Sequence, residues 1–254
     1  MLEEDAMARL DCQHRLHSTD QLDVKLPFVI YQDLSKDEEI TIFTTINDEH
    51  MGLAKSLVDA HTLTLTGKDD ARKNEPHLAI AADLNDDKKS PWYQSVNSGG
   101  ISKSTPGTKR RITLRTFQVA IKDLISGPRC QNAAYETKYE AVKNFWEAVK
   151  LTFPDAWKDH RKHMLIKGVG IAAMADLGRD VIQECLAKND ISVDAMAVYI
   201  EKLEGFDFRN KTSPLSLIGG QKGAAAAAKA FKAVVFGETS LGAIGDLLMP
   251  SSTA

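Results

Sequence analysis

Residues 139–154 read YEAVKNFWEAVKLTFP, and their spacing decides the class of fold. Tyr139, Val142, Phe145, Trp146 and Val149 recur every three or four positions, while Lys138, Lys143, Glu147 and Lys150 fall on the other faces. A stripe of that period is an amphipathic helix burying one side. Pro154 ends it, because proline lacks the amide hydrogen and its ring clashes with the preceding turn. Working outward, an apolar helix is expected within Met164 to Leu186, another from Ser192 through Val198 and Leu203, and a last one from Gly223 through Phe236. The five-alanine run in that last stretch is a helix former and not a linker. Residues 116–254 therefore read as a helical region whose aromatic stripes are core.

Toward the N-terminus the chain becomes more polar. Residues 71–115 are expected to form a polar loop region, with one short apolar segment around Leu78 to Leu84 and an anchor at Pro91-Trp92-Tyr93. Gly99-Gly100 and Pro106-Gly107 supply its turn signals. After it, Thr116 is expected to cap a helix with Phe117, Ala120, Ile121 and Leu124 on one face, and Gly127-Pro128 to stop it. Within residues 1–70, Leu26 to Tyr31 (LPFVIY) is the best strand, with Pro27 near its start. Ser35 and Glu38 form a capping-box pattern that starts a helix at about Lys36, against the β-branched run from Ile40 to Ile46. Asn47 to His50 interrupts that pattern and reads as a polar elbow before a second helical stretch through Leu53, Leu57 and Val58.

The 254 residues are 43% hydrophobic and 26% charged with a formal net charge of -3, so any contact with nucleic acid has to be local. Cys12, Cys130 and Cys185 lie far apart with no CxxC pair, which argues against a disulfide framework and a zinc site, and points to the reducing cytoplasm. No apolar run approaches the roughly 18 residues that span a bilayer. Two basic stretches stand out. Lys103, Lys109, Arg110, Arg111 and Arg115 come without intervening acids, and Lys158, His160, Arg161, Lys162, His163 and Lys167 follow the end of a helix. Either is a solvated loop or a phosphate-backbone contact, and convergence of the two in space would favour a DNA track. Gly219-Gly220-Gln221-Lys222-Gly223 lacks the Ser or Thr of a P-loop and reads as a tightly packed loop-to-helix transition.

The densest polar chemistry is Asp11-Cys12-Gln13-His14-Arg15, an acceptor, an amide, an imidazole and a guanidinium in one short turn. A helix start with Asp11 as cap and the rest solvated is the plain alternative. Asp11, Gln13, His14 and Arg15, followed by Leu16, resemble the signature of the DGQHR-domain family (DndB-like). Leu26 to Tyr31 resembles that family's next strand, Ile46-Asn47 its helix end, and Asn144-Phe145-Trp146 with Phe153-Pro154 and Trp157 its C-terminal region. The resemblance implies an α/β fold, a partial ParB/sulfiredoxin-like core followed by a mainly helical C-terminal region. It also implies association with DNA-modification and phage-defence loci. In the wider superfamily the comparable turn holds nucleotide phosphates, which suits backbone amides at a helix start beside an arginine. The family's Gly is Cys12 here, which would strain a positive-φ turn by roughly 1 to 2 kcal/mol. With no clear strand ahead of the motif, a truncated member is expected.

In that setting Arg15 pairs with phosphate and Gln13 with a base or sugar. His14 is the candidate for proton transfer, with Asp11 orienting it. Asn47, Lys109, Arg110, Arg111 and Arg115 complete the expected nucleotide- or DNA-binding set. The cofactor implied is a nucleoside triphosphate, no metal site is expected, and the partner is DNA. The leading expectation is a DNA-associated regulatory or defence protein. The alternatives are a nucleotide hydrolase or DNA-nicking enzyme using His14 and Asp11, or an interaction module that keeps only its helices.

Overall fold

Helix-period patterning over most of the chain should produce helices packed on helices, and the computed structural model, which describes residues 29–50, 55–98 and 111–248, is mainly helical. The described N-terminal helices are α1 (Lys36–His50), α2 (Lys55–Thr66), α3 (Lys68–Asn74) and α4 (Pro76–Asp86). A two-residue strand β1 (Val96–Asn97) pairs in parallel with β2 (Ile112–Thr113), Val96 opposite Ile112. Then follow α5 (Leu114–Leu124), α6 (Pro128–Gln131), α7 (Tyr135–Thr152), α8 (Pro154–Lys158), α9 (Gly168–Ala187), α10 (Val193–Ile200), α11 (Gly220–Val235) and α12 (Ile244–Leu248).

Local chemistry explains the boundaries. The Ser35 amide and hydroxyl both donate to Glu38 Oε2, at 2.9 and 2.8 Å, so the expected capping box opens α1. Its β-branched run is helical all the same. Thr113, not Thr116, caps α5: its Oγ1 accepts from the Thr116 amide at 3.2 Å, so the expected cap is the capped residue. Ser192 caps α10 in the same way, accepting from the Ala195 amide. Pro128 and Pro154 each open a new short helix as well as closing off the one before, since a missing amide hydrogen is harmless in a first turn.

Three expectations need correction. Val29 to Tyr31 carry no strand and are 77%, 56% and 50% exposed, so the described half of the expected strand is not a core element; Leu26 to Phe28 lie outside the described residues. The elbow at Asn47 to His50 is instead the last turn of α1. The described parts of 71–115, residues 71–98 and 111–115, are not simply a polar loop, because α3, α4 and both strands fall in or overlap them. The average composition concealed α4, which starts with Pro76 and buries Leu78, Ile80, Ala81 and Leu84 on a short apolar face.

Trp92 is fully buried and lies at the meeting point of three helices. Its ring sits 4.3 Å from Phe117 of α5, 5.4 Å from Trp146 of α7 and 4.9 Å from Trp157 of α8, centroid to centroid. Edge and tilted contacts at these distances are the favoured geometry of aromatic pairs. Around this cluster α9 packs most extensively on α11, and also meets α5 and α7. The close approach there rests on Gly178, where an added Cβ would meet Phe145 Cζ at 2.4 Å and Leu124 Cδ2 at 2.5 Å.

Gly178→Val should therefore lower unfolding stability by about 1 to 3 kcal/mol, the usual range for overpacking a core. Gly242→Ala, where nothing lies within 4 Å of the added carbon, should change it by less than about 0.5 kcal/mol. Equilibrium denaturation of both variants checks the contrast.

Candidate nucleic-acid interface

Trp157 ends the aromatic cluster, and its backbone carbonyl begins the candidate site. Arg111 Nη1 donates to that oxygen at 2.8 Å across 46 positions of sequence. The Arg111 amide is fixed as well, donating to the Ser95 carbonyl beside the β1/β2 ladder. Burial pulls the Arg111 pKa below its ordinary value without bringing it near neutrality. The side chain thus ties the segment entering β2 to the turn that follows α8.

That turn carries the second basic stretch. Lys158, Arg161 and Lys162 are exposed and His160 is half-buried. Lys167 reaches back from the start of α9, its Nζ donating to the Arg161 carbonyl at 2.8 Å. Asn210 braces the turn from outside, its Nδ2 donating to Arg161 O at 2.6 Å and its amide to Lys162 O at 2.8 Å. His163 Nδ1 lies 2.8 Å from the Asp159 carbonyl, closing the turn internally. Arg111, the one described residue of the first basic stretch on this face, is joined to the second through the Trp157 carbonyl.

Acids lie beside this face as well, with Asp155, Glu204 and Asp207 lining a cleft next to His163. Asp159 pairs with Lys162 at 3.2 Å, and the neighbouring Arg209 is occupied by Asp207 at 2.9 Å. Among the described residues Lys158, Arg161 and Lys167 have no carboxylate within salt-bridge distance, and α9 begins one residue after Lys167 with no acid in its first turn. A helix start of that kind adds positive potential to the same edge.

Other expected site residues fare differently. Arg115 is taken up structurally: its amide donates to Ser56 Oγ and its guanidinium lies 3.5 Å from Asp59, holding α2 on α5. Asn47 lies in the last turn of α1, with its side chain outside what is described. Asp11, Gln13, His14, Arg15, Lys109 and Arg110 all lie outside the described residues.

Sequence reading missed a second polar cluster, a cleft of about 480 Å³ between α4 and α7. Tyr135 and Arg72 both donate to Asp83 Oδ2 at 2.9 Å, while Tyr139 at 2.7 Å and Lys143 at 2.9 Å hold Asp87. Tyr139, the Lys89 amide and Lys143 keep the Asp87 carboxyl down to about 2. Tyr135, Tyr139 and Lys143 fasten α4 and its C-terminal end to α7, and Arg72 holds α3 on α4, so the cleft is a clasp. Among the described residues no group of His, Cys, Asp and Glu is arranged to hold a metal ion, and no helix is long and apolar enough to cross a membrane. Comparison with protein-family models, curated proteins and solved structures finds no match to this chain.

Two outcomes follow. Arg111→Ala should cost about 1 to 2 kcal/mol of stability by freeing a carbonyl beside the core, whereas Lys158→Ala and Arg161→Ala should stay within about 0.5 kcal/mol of the parent; thermal or denaturant melts read the difference. The Asp87 pKa lies below the ordinary 3.8 in the folded chain. Its contribution is therefore present above that value and is lost as pH falls toward about 2. Tyr139→Phe should flatten the acid limb of the stability–pH curve in this window.

Proposed function

We propose that this chain is a DNA-associated protein that holds the phosphate backbone of nucleic acid on the face formed by Arg111, Lys158, Arg161, Lys162 and Lys167. The observation that carries the reading is the Arg111 bond to the Trp157 carbonyl, which brings one arginine of the first basic stretch to the second. Lys109 and Arg110 directly precede Arg111 in the chain and extend the same charge along the sequence. The chain as a whole is slightly acidic at -3, so this local excess is what distinguishes one face from the rest.

Charges of this kind bind phosphates without reading bases. Association of a backbone-binding face is driven largely by counterion release, and it weakens steeply with salt. Sequence or modification specificity would then reside elsewhere, and the Asp11 to Arg15 turn is the natural place for it. The resemblance of that turn to the DGQHR signature, with Gln13 and Arg15 as base and phosphate contacts, supports a regulatory or defence role in a DNA-modification system, with a ParB/sulfiredoxin-like core around the turn. A nucleoside triphosphate bound at the same turn belongs to this reading.

Affinity for a short duplex should fall linearly in log–log form with salt concentration. Replacing Lys158, Arg161 and Lys162 together by Gln should lower affinity and reduce the magnitude of the slope by about 0.9 for each phosphate contact removed. Unchanged affinity and slope in the folded triple variant, measured by fluorescence anisotropy, would overturn the assignment of this face.

A further inference from the structure

His160 stands near the start of the turn between α8 and α9, with cations fixed on backbone carbonyls before and after it. Arg111 is tied to the carbonyl of Trp157, three residues before, and Lys167 to the carbonyl of Arg161, one residue after. The charged groups that face the imidazole are Arg111 from the entry to β2, Lys167 from the start of α9, and Arg161 and Asp159 from the turn itself. Asp159 is the one acid among these groups, and it is already paired with Lys162 at 3.2 Å. Burial first, and then Arg111, Lys167 and Arg161, lower the His160 pKa, which disfavours the imidazolium form in the free protein.

A phosphodiester resting on the turn reverses that balance. It neutralises the surrounding cations and brings negative charge beside the ring, and both changes favour the imidazolium form. Arg111 and Lys167 each retain donors beyond the one spent on a carbonyl, so a phosphate can be met by both while His160 supplies a third N–H from between them. We propose that His160 is a phosphate contact of this face and takes up a proton as nucleic acid docks, so that binding tightens as pH falls. The inference rests on the proposed DNA-binding face and adds to it a proton-linked residue.

The sign follows from linkage. A complex that holds one proton more than the separated partners gains affinity as pH falls, by up to about tenfold per pH unit between the free and bound pKa values of the group. Arg and Lys contacts add no pH dependence in that range, because both stay charged throughout it. A histidine held between them is therefore the element that makes the face responsive near neutrality.

The test measures affinity of the full chain for a short duplex at fixed ionic strength, from about pH 5 to about pH 8, the range in which histidine titrates. The parent should show a slope of log affinity against pH approaching −1, and His160→Gln, checked for folding by circular dichroism, should lose that slope. A slope retained in the variant, or a flat parent profile, overturns the role of His160 and leaves the backbone-binding face standing. A parent that binds no duplex at any pH overturns the DNA-binding reading itself, and this inference with it. If the variant does not fold, NMR titration of the His160 ring in the parent, free and with duplex, decides instead. An upward shift of its pKa on binding is expected, and no shift overturns the proposal.

Discussion

Packing around Trp92 is the constraint on which the rest of the structure depends. Its ring lies against Phe117 and Trp157 and edge-on to Trp146, so one buried side chain fixes the mutual placement of α5, α7 and α8. The turn that holds Trp92 is itself secured, since the Trp92 amide donates to Ser90 Oγ at 3.0 Å. Through Trp157 the cluster also sets the candidate site. The carbonyl that receives Arg111 belongs to a residue whose side chain is locked in the core, so the basic turn starts from a rigid point.

Electrostatics are divided cleanly by location. Several acidic groups are held in structural pairs. Asp123, Asp176 and Asp180 gather around Arg179, with Lys232 of α11 also on Asp176 and Asp180 at 3.0 and 2.7 Å, which joins α5, α9 and α11. Asp83 and Asp87 perform the same task between α4 and α7. Beside the α8–α9 turn, Lys158, Arg161 and Lys162 are exposed, with Asp155 an exposed acid of α8. A slightly acidic chain can therefore present a basic face without being basic overall, which is the arrangement expected of a local phosphate contact.

Much of the C-terminal half was legible because its signals are local. The stripe from Tyr139 to Val149, the Ser192 cap and the Ser35–Glu38 box each act within a few residues, and each lies in the element expected. The errors also have physical causes. Val29 to Tyr31 have strand-like composition, but a strand needs a partner, and these residues are exposed. α4 is only 11 residues long, so its apolar face was diluted by the charged stretches around it. The site was half legible: both basic stretches stand out in the sequence, but nothing local announces that Arg111 reaches the Trp157 carbonyl. Tyr139 read as a core position, and its hydroxyl proved to be a donor that fastens Asp87, as the Tyr135 hydroxyl fastens Asp83.

The central claim is that nucleic acid rests on the turn between α8 and α9 and on the segment entering β2. Amide hydrogen exchange of the full chain, with and without a saturating short duplex at low salt, tests it directly. The account predicts slowed exchange at residues 157–167 and 111–113, with the α4–α7 clasp unchanged. Slowing confined to other surfaces, or none at saturation, would contradict it.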